Sequence, residues 1–274
     1  MKTLNEKLSK RIIELDVIRA IAVFLMVFDH IFYDFMALLP GVFKDYPIKL
    51  YQIGVTYWDW DFREIFRYVV LFVFLSVSGI CCSFSKSNLA RGLKLMGIAL
   101  LLTLSTYIIG DITNNLDITI TFGILHCISL SLIIIGLLEK LKLDKWFYLV
   151  IGLIMVSIGI YFYSQPEYCY LGKCYISYSN DPIELAMLKQ IIGIKKYGSD
   201  SFPLLINGGQ IFIGVFLGKL LYKDKKSLFK NAKYRNNFIT LAGRNSLIVY
   251  VLHQVILPVL IGIILLICGY SLNI

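Results

Sequence analysis

Charge is scarce in this chain. Of 274 residues, 16% are Asp, Glu, Lys or Arg, against about 25% in a soluble domain. Histidine is scarcer still, with three in all, and proline occurs six times. No internal repeat or low-complexity tract interrupts the sequence. The six cysteines include no C-x-x-C pair, and no His-x-x-x-His spacing is present, so no metal site is expected. The first apolar segment is too long for a cleavable signal peptide and lacks a small-residue cleavage site.

What fills the chain instead is apolar: 58% hydrophobic and 14% aromatic residues, with a mean hydropathy of +0.73. That composition excludes an ordinary soluble domain and predicts a polytopic membrane protein. The formal charge of +9 would suggest nucleic acid in a soluble domain. Here it reads as loop charge facing the cytoplasm, and no nucleic-acid partner is expected.

Seven apolar runs predict transmembrane helices: roughly 17–38, 65–84, 92–111, 118–138, 146–164, 203–222 and 246–270. Lipid forces each to satisfy its backbone internally, so the fold class is all-α, one helix-bundle domain over 1–274. With the N-terminus inside, 18 of the 27 Lys and Arg fall in cytoplasmic segments and eight outside, Arg19 lying within the first span. The protein is therefore expected as a multi-pass protein of the cell (plasma or inner) membrane, N-terminus in. A re-entrant segment around 48–64 or 183–194 would change the count. The 165–202 loop falls outside, where Cys169 and Cys174 are permitted a disulfide. Cys81, Cys82, Cys127 and Cys268 lie in apolar runs and read as core thiols.

The first span, LDVIRAIAVFLMVFDHIFYDF, carries Asp16, Arg19, Asp29, His30 and Asp34. At 100° and 1.5 Å per residue, Arg19 and His30 fall within about 20° of each other and about 16 Å apart along the axis. Asp16 and Asp34 share that stripe, which is about 60° wide. Asp29 lies roughly 80° to the side, where it would contact another helix or a substrate. A charge at mid-membrane costs about 2.5–3.5 kcal/mol, so the stripe faces protein or water, as an interhelical clamp or a functional site. The other histidines are His126, in TFGILHCISLS, and His253, on the face of Ser246 and Tyr250. Each reads equally as packing or as function.

Arg-x10-His in the first span looks like a signature of membrane-embedded acyltransferases. RIIELDVIRAIAVFLMVFDHIFYD, FLSVSGICCSFS, ITFGILHCISL, FPLLINGGQIFIGVFLGKLL and AGRNSLIVYVLHQVIL occur in order over nearly the whole chain. Together they resemble the heparan-α-glucosaminide N-acetyltransferase catalytic-domain family in its bacterial branch. Two departures are Ala20, where the family commonly has Gly, and RGLK at 91–94, a loose match to the Arg-x-x-Arg of related acyltransferases. The resemblance implies an enzyme that moves acetyl from cytoplasmic acetyl-CoA to an amine or hydroxyl of a glycan-like acceptor presented from the other side. It also implies a homodimer.

Acyl transfer needs a base or nucleophile and donors for the developing oxyanion. His30 is the candidate base. Asp34, one turn on, would orient it as a triad acid does. His126, with Ser129, would position the acceptor or bind the acyl oxygen. Direct transfer and an acetyl-histidine intermediate both remain open. Arg19, Arg91, Lys94 and Arg244 are candidate contacts for the CoA phosphates, with Lys219 a further one. Asn245 and Ser246 at the opening of the last helix and His253 complete that set. Trp58, Asp59 and Trp60, beside Asp61 in the segment YQIGVTYWDWDF, serve either the acceptor or an interfacial aromatic belt. A reading of another class is a proton-coupled transporter or flippase that uses the polar stripe. Against it, no inverted repeat is visible, and Pro258 is the only proline well inside a span.

Overall fold

The computed structural model describes residues 11–112, 119–163, 183–195, 200–229 and 236–273. Cys169 and Cys174 lie outside the described residues, so the disulfide expectation does too.

The described residues are helical and contain no strand, only the isolated bridges Phe43–Leu272 and Phe122–Ser201. Six segments are long and apolar enough to cross a membrane: Asp61–Phe84, Asn88–Ile112, Ile124–Leu141, Lys145–Phe162, Leu204–Leu221 and Ser246–Ile267. These correspond to the last six of the seven expected spans. The first span forms a helix, α1 (Ile13–Tyr33), but Glu14, Asp16, Arg19 and Asp29 keep it from qualifying by apolarity alone. The chain is an all-α polytopic bundle. It divides into two compact units, Met1–Phe74 with Phe229–Ile274, and Leu75–Leu228.

In the first unit α1 runs on through a π-helical turn (Asp34–Leu38) and a last turn (Leu39–Val42). The stretch 48–58, expected as loop, is a helix, α2 (Ile48–Trp58), lying along the far half of α1. A Cβ on Gly54 would come 2.9 Å from the Phe32 carbonyl oxygen, and Tyr57 stacks on Phe32 with centroids 4.0 Å apart. After a two-residue turn α3 begins (Asp61–Ile80), its residues to Phe74 belonging to this unit.

The C-terminal segment folds back on α1. Helix α9 (Phe238–Arg244) starts at an Asn237–Thr240 capping box, in which the Asn237 carboxamide accepts from Thr240 N at 3.0 Å. Phe238 stacks on Phe24, and Gly243 lies on the Asp16 carbonyl, so α9 runs antiparallel to α1. Helix α10 (Ser246–Ile267) then reverses and follows α1. Its Leu265 packs on Leu39 and Phe43, and Asn273 N donates to Val42 O at 2.8 Å. This reversal brings His253 alongside α1.

The second unit contains the end of α3, α4 (Asn88–Ile112), α5 (Ile124–Leu138), α6 (Lys145–Tyr163), α7 (Ile183–Ile192) and α8 (Gly209–Leu221), the last preceded by a π-helical turn (Leu204–Gly208). Lipid provides no hydrophobic drive between helices, so they associate through close backbone packing at small residues. Gly79 on α3 meets Ile211 O on α8, and Gly214 on α8 meets Ser76 O on α3, each with no room for a Cβ. The 165–202 loop, in its described part, includes the ten-residue α7, too short to span.

A Cβ on Gly243 would lie 1.7 Å from the Asp16 carbonyl oxygen, which is backbone and has no rotamer to yield. Gly243→Ala is therefore expected to displace α9 and lower the thermal midpoint in detergent, by about 1–3 kcal/mol or more of stability. Gly97→Ala, in α4 with nothing within 4 Å of its Cβ, should leave the midpoint unchanged or raise it.

Candidate active site

The site is built on α1 and the parts of α3 and α10 that belong to the first unit. Each charge on α1 has a partner where burial demands one. Asp16, 2% exposed, accepts two hydrogen bonds from Arg11, at 2.7 and 2.8 Å, and lies 3.3 Å from Arg19 Nη1. Arg11 was read from sequence as ordinary cytoplasmic charge; here it braces the start of α1. Asp29, off the stripe, has a specific partner. Arg63 donates to both of its oxygens, at 2.7 and 2.6 Å, and Tyr57 donates at 3.2 Å. The Arg63 guanidinium also covers the Trp58 ring at 3.5 Å. Burial, reinforced by the Asp29 charge, pushes the Tyr57 phenol up to about 12, so it stays a neutral donor. Asp29 and Trp58, expected to touch the acceptor, are thus engaged with Arg63.

Beside this pair stand two imidazoles. His30 and His253 meet edge to face with centroids 4.7 Å apart. His30 Nδ1 lies 2.9 Å from Met26 O, and His253 Nδ1 lies 2.6 Å from Tyr250 O. A carbonyl oxygen only accepts, so each Nδ1 carries the proton and donates it. Each neutral ring therefore presents a lone pair at Nε2. His253 Nε2 is buried with no hydrogen-bond partner, and among the described residues the His30 side chain hydrogen-bonds through Nδ1 alone. Two bases with fixed tautomers, one half-buried and one buried, stand ring against ring.

This changes the expected roles. His253, grouped from sequence with the CoA contacts, is His30's neighbour. Asp34 makes no hydrogen bond to His30; the Met26 carbonyl occupies the place that a triad acid would take. Asp34 is buried in the π-helical turn, where its charge adds to burial in pushing the nearby Tyr46 phenol up to about 12. His126, in the second unit, has both nitrogens engaged. Gly123 N donates to Nδ1 at 3.2 Å, and Nε2 lies 3.0 Å from Thr103 Oγ1. That hydroxyl already donates to Ile120 O at 2.7 Å, so Nε2 is the donor. With both nitrogens engaged, His126 fixes the start of α5. Ser129 is buried and donates to the His126 carbonyl.

The expected phosphate contacts fall in both units. In the first, Arg244, Asn245 and Ser246 form the half-buried corner between α9 and α10, and Asn245 Nδ2 donates to Leu241 O. In the second, Arg91 donates to Cys81 O and Asn88 Oδ1, while Lys94 is exposed. Lys219 stands 4.0 Å over the Tyr148 ring. Asp59 and Trp60 are exposed at the α2–α3 turn, with Trp60 against Phe62. No cluster of metal-ligating side chains occurs among the described residues.

Sequence reading missed Arg63 and Arg67, which it counted among the eight Lys and Arg placed outside. Their spacing of four was the available signal, since it places both on one face of a helix. Removing one partner of a buried pair strands the other, at a cost of about 3–5 kcal/mol. Asp29→Ala is expected to lower the thermal midpoint sharply, and Asp29→Ala with Arg63→Met to recover part of the loss. Additive losses in the double variant would show that the pair does not hold α3 to α1.

The model of the catalytic domain of heparan-alpha-glucosaminide N-acetyltransferase matches residues 11–255. No curated protein and no solved structure matches the chain. The match covers α1 with Asp29 and His30, the α3 arginines and α10 as far as His253. The chain belongs to the heparan-alpha-glucosaminide N-acetyltransferase catalytic family and is a membrane acetyltransferase.

Proposed function

We propose that the protein takes acetyl from acetyl-CoA on the cytoplasmic side and delivers it to an amine or hydroxyl of a glycan-like acceptor on the other side. His30 Nε2 is the base that deprotonates the acceptor, and His253 lies against it as a second basic ring. The observation that carries this reading is the 4.7 Å His30–His253 contact, with both Nδ1 atoms committed to backbone carbonyls. A base needs its lone pair facing the reaction and its tautomer fixed before the substrate arrives. Anchoring through Nδ1 does both.

The CoA phosphates are assigned to the cytoplasmic cations of the first unit, Arg19 and Arg244, with Asn245 and Ser246 adding neutral donors. Arg19 is held to Asp16, so its remaining N–H groups serve this purpose from a fixed position. The exposed Asp59 and Trp60 are assigned to the acceptor side, since sugar faces stack on indole and sugar hydroxyls donate to carboxylates. The Lys and Arg distribution supports a cell-membrane protein with its N-terminus inside. The reading includes a homodimer.

Radioacetyl transfer from acetyl-CoA, in membranes that hold the cell's own acceptors, tests the base. His30→Ala should lower transfer about 10²–10⁴-fold, with acetyl-CoA binding and thermal midpoint retained. A wild-type rate in a folded His30→Ala protein would contradict the reading. Saturable acetyl-CoA binding by the purified protein separates it from proton-coupled transport along the stripe.

A further inference from the structure

We propose that Arg67 is the oxyanion donor of this acetyl transfer. The proposal rests on the reading of His30 as base and goes beyond it, since it assigns the charge that develops when the acceptor attacks. Arg67 is four residues beyond Arg63 on α3 and shares its face. Arg63 holds Asp29, the residue next to His30, and the charges that act on His30 are those of Asp29, Arg63 and Arg67. Asp29 and Arg63 neutralise each other through two short hydrogen bonds. Arg67 is not neutralised: no carboxylate pairs with it among the described residues. Its guanidinium hydrogen-bonds the Tyr68 hydroxyl and lies 5.4 Å from that ring's centroid, while its Nε is buried without an acceptor.

A buried, unused N–H on a cation inside a membrane span is costly twice over, as an unmet donor and as a charge. Preorganised donors aimed at developing charge are what acyl transfer uses, and a low-dielectric site makes them stronger. The acceptor's lone pair forms a bond to the acetyl carbon, and the carbonyl pair moves onto oxygen. The Arg67 guanidinium meets that oxyanion while His30 Nε2 takes the acceptor's proton. Collapse re-forms the carbonyl and breaks the C–S bond. The CoA sulfur leaves with the electron pair and receives the proton from His30.

The test is transfer from acetyl-CoA in membranes expressing the full chain, with acetyl-CoA affinity and thermal midpoint measured on the purified protein. Arg67→Gln should lower kcat roughly 10²–10³-fold with acetyl-CoA affinity unchanged. Added guanidinium ion should restore rate to Arg67→Ala and not to Arg67→Lys, whose ammonium keeps the charge and fills the space. Arg67→Lys also carries the test if the neutral variants fail to fold: a wild-type rate in it overturns the need for the guanidinium fork. An unchanged kcat in Arg67→Gln, or a loss that merely follows weakened acetyl-CoA binding, overturns the proposal. His30→Ala run in parallel keeps the two assignments apart. A slow Arg67→Gln beside a fast His30→Ala supports the oxyanion role and removes the base; the reverse pattern removes the oxyanion role and keeps the base.

Discussion

The Asp29–Arg63 ion pair is the contact on which the candidate site depends. Two side chains that would each be expensive in a membrane meet through a pair of short hydrogen bonds, with Tyr57 and the Trp58 ring closing around them. The pair fastens the first turn of α3 to the last third of α1, one residue from His30. Asp29, Arg63 and Arg67 are then the charges that act on His30, the first two opposing each other. Asp16, braced by Arg11 and Arg19, does the same work at the other end of α1. A charged helix is tolerable here because Asp16 and Asp29 each meet a cation.

The second constraint is the fold-back of the C-terminal segment. Gly243 lets α9 press its backbone against Asp16 O, and Asn245 turns the chain into α10. From that corner α10 follows α1 closely enough to set His253 on His30 and Leu265 on Leu39 and Phe43. Each imidazole is then fixed by a carbonyl of its own helix. The rings need no second helix to define their tautomers, which leaves each Nε2 without a hydrogen-bond partner among the described residues. In the second unit His126 is the opposite case, with a backbone N–H on one nitrogen and a Thr hydroxyl on the other.

Much of this was legible in the sequence, and the limits have physical causes. Apolar length gave the six long helices, because lipid permits little else. The 100° rotation per residue picked out the Arg19–His30 face and left Asp29 as the residue needing another helix, which proved to be α3. The site beyond that was not legible. Periodicity describes one helix at a time, so it carries no information about the meeting of His30 with His253. The YWDWDF turn hid the start of α3 and with it Arg63. The role of Asp34 was argued from an i, i+4 spacing, but the carbonyl at Met26 is on the same face and has no side chain to announce it.

The chain's three histidines make the central claim directly measurable. Nitrogen-15 spectra of imidazole-labelled protein in detergent, assigned with single-histidine variants, report which ring nitrogen carries the proton. The account predicts the Nδ1–H form for His30 and His253 and the Nε2–H form for His126 in the resting protein at neutral pH. Finding His30 as the Nε2–H tautomer, with its lone pair turned toward Met26, would contradict it.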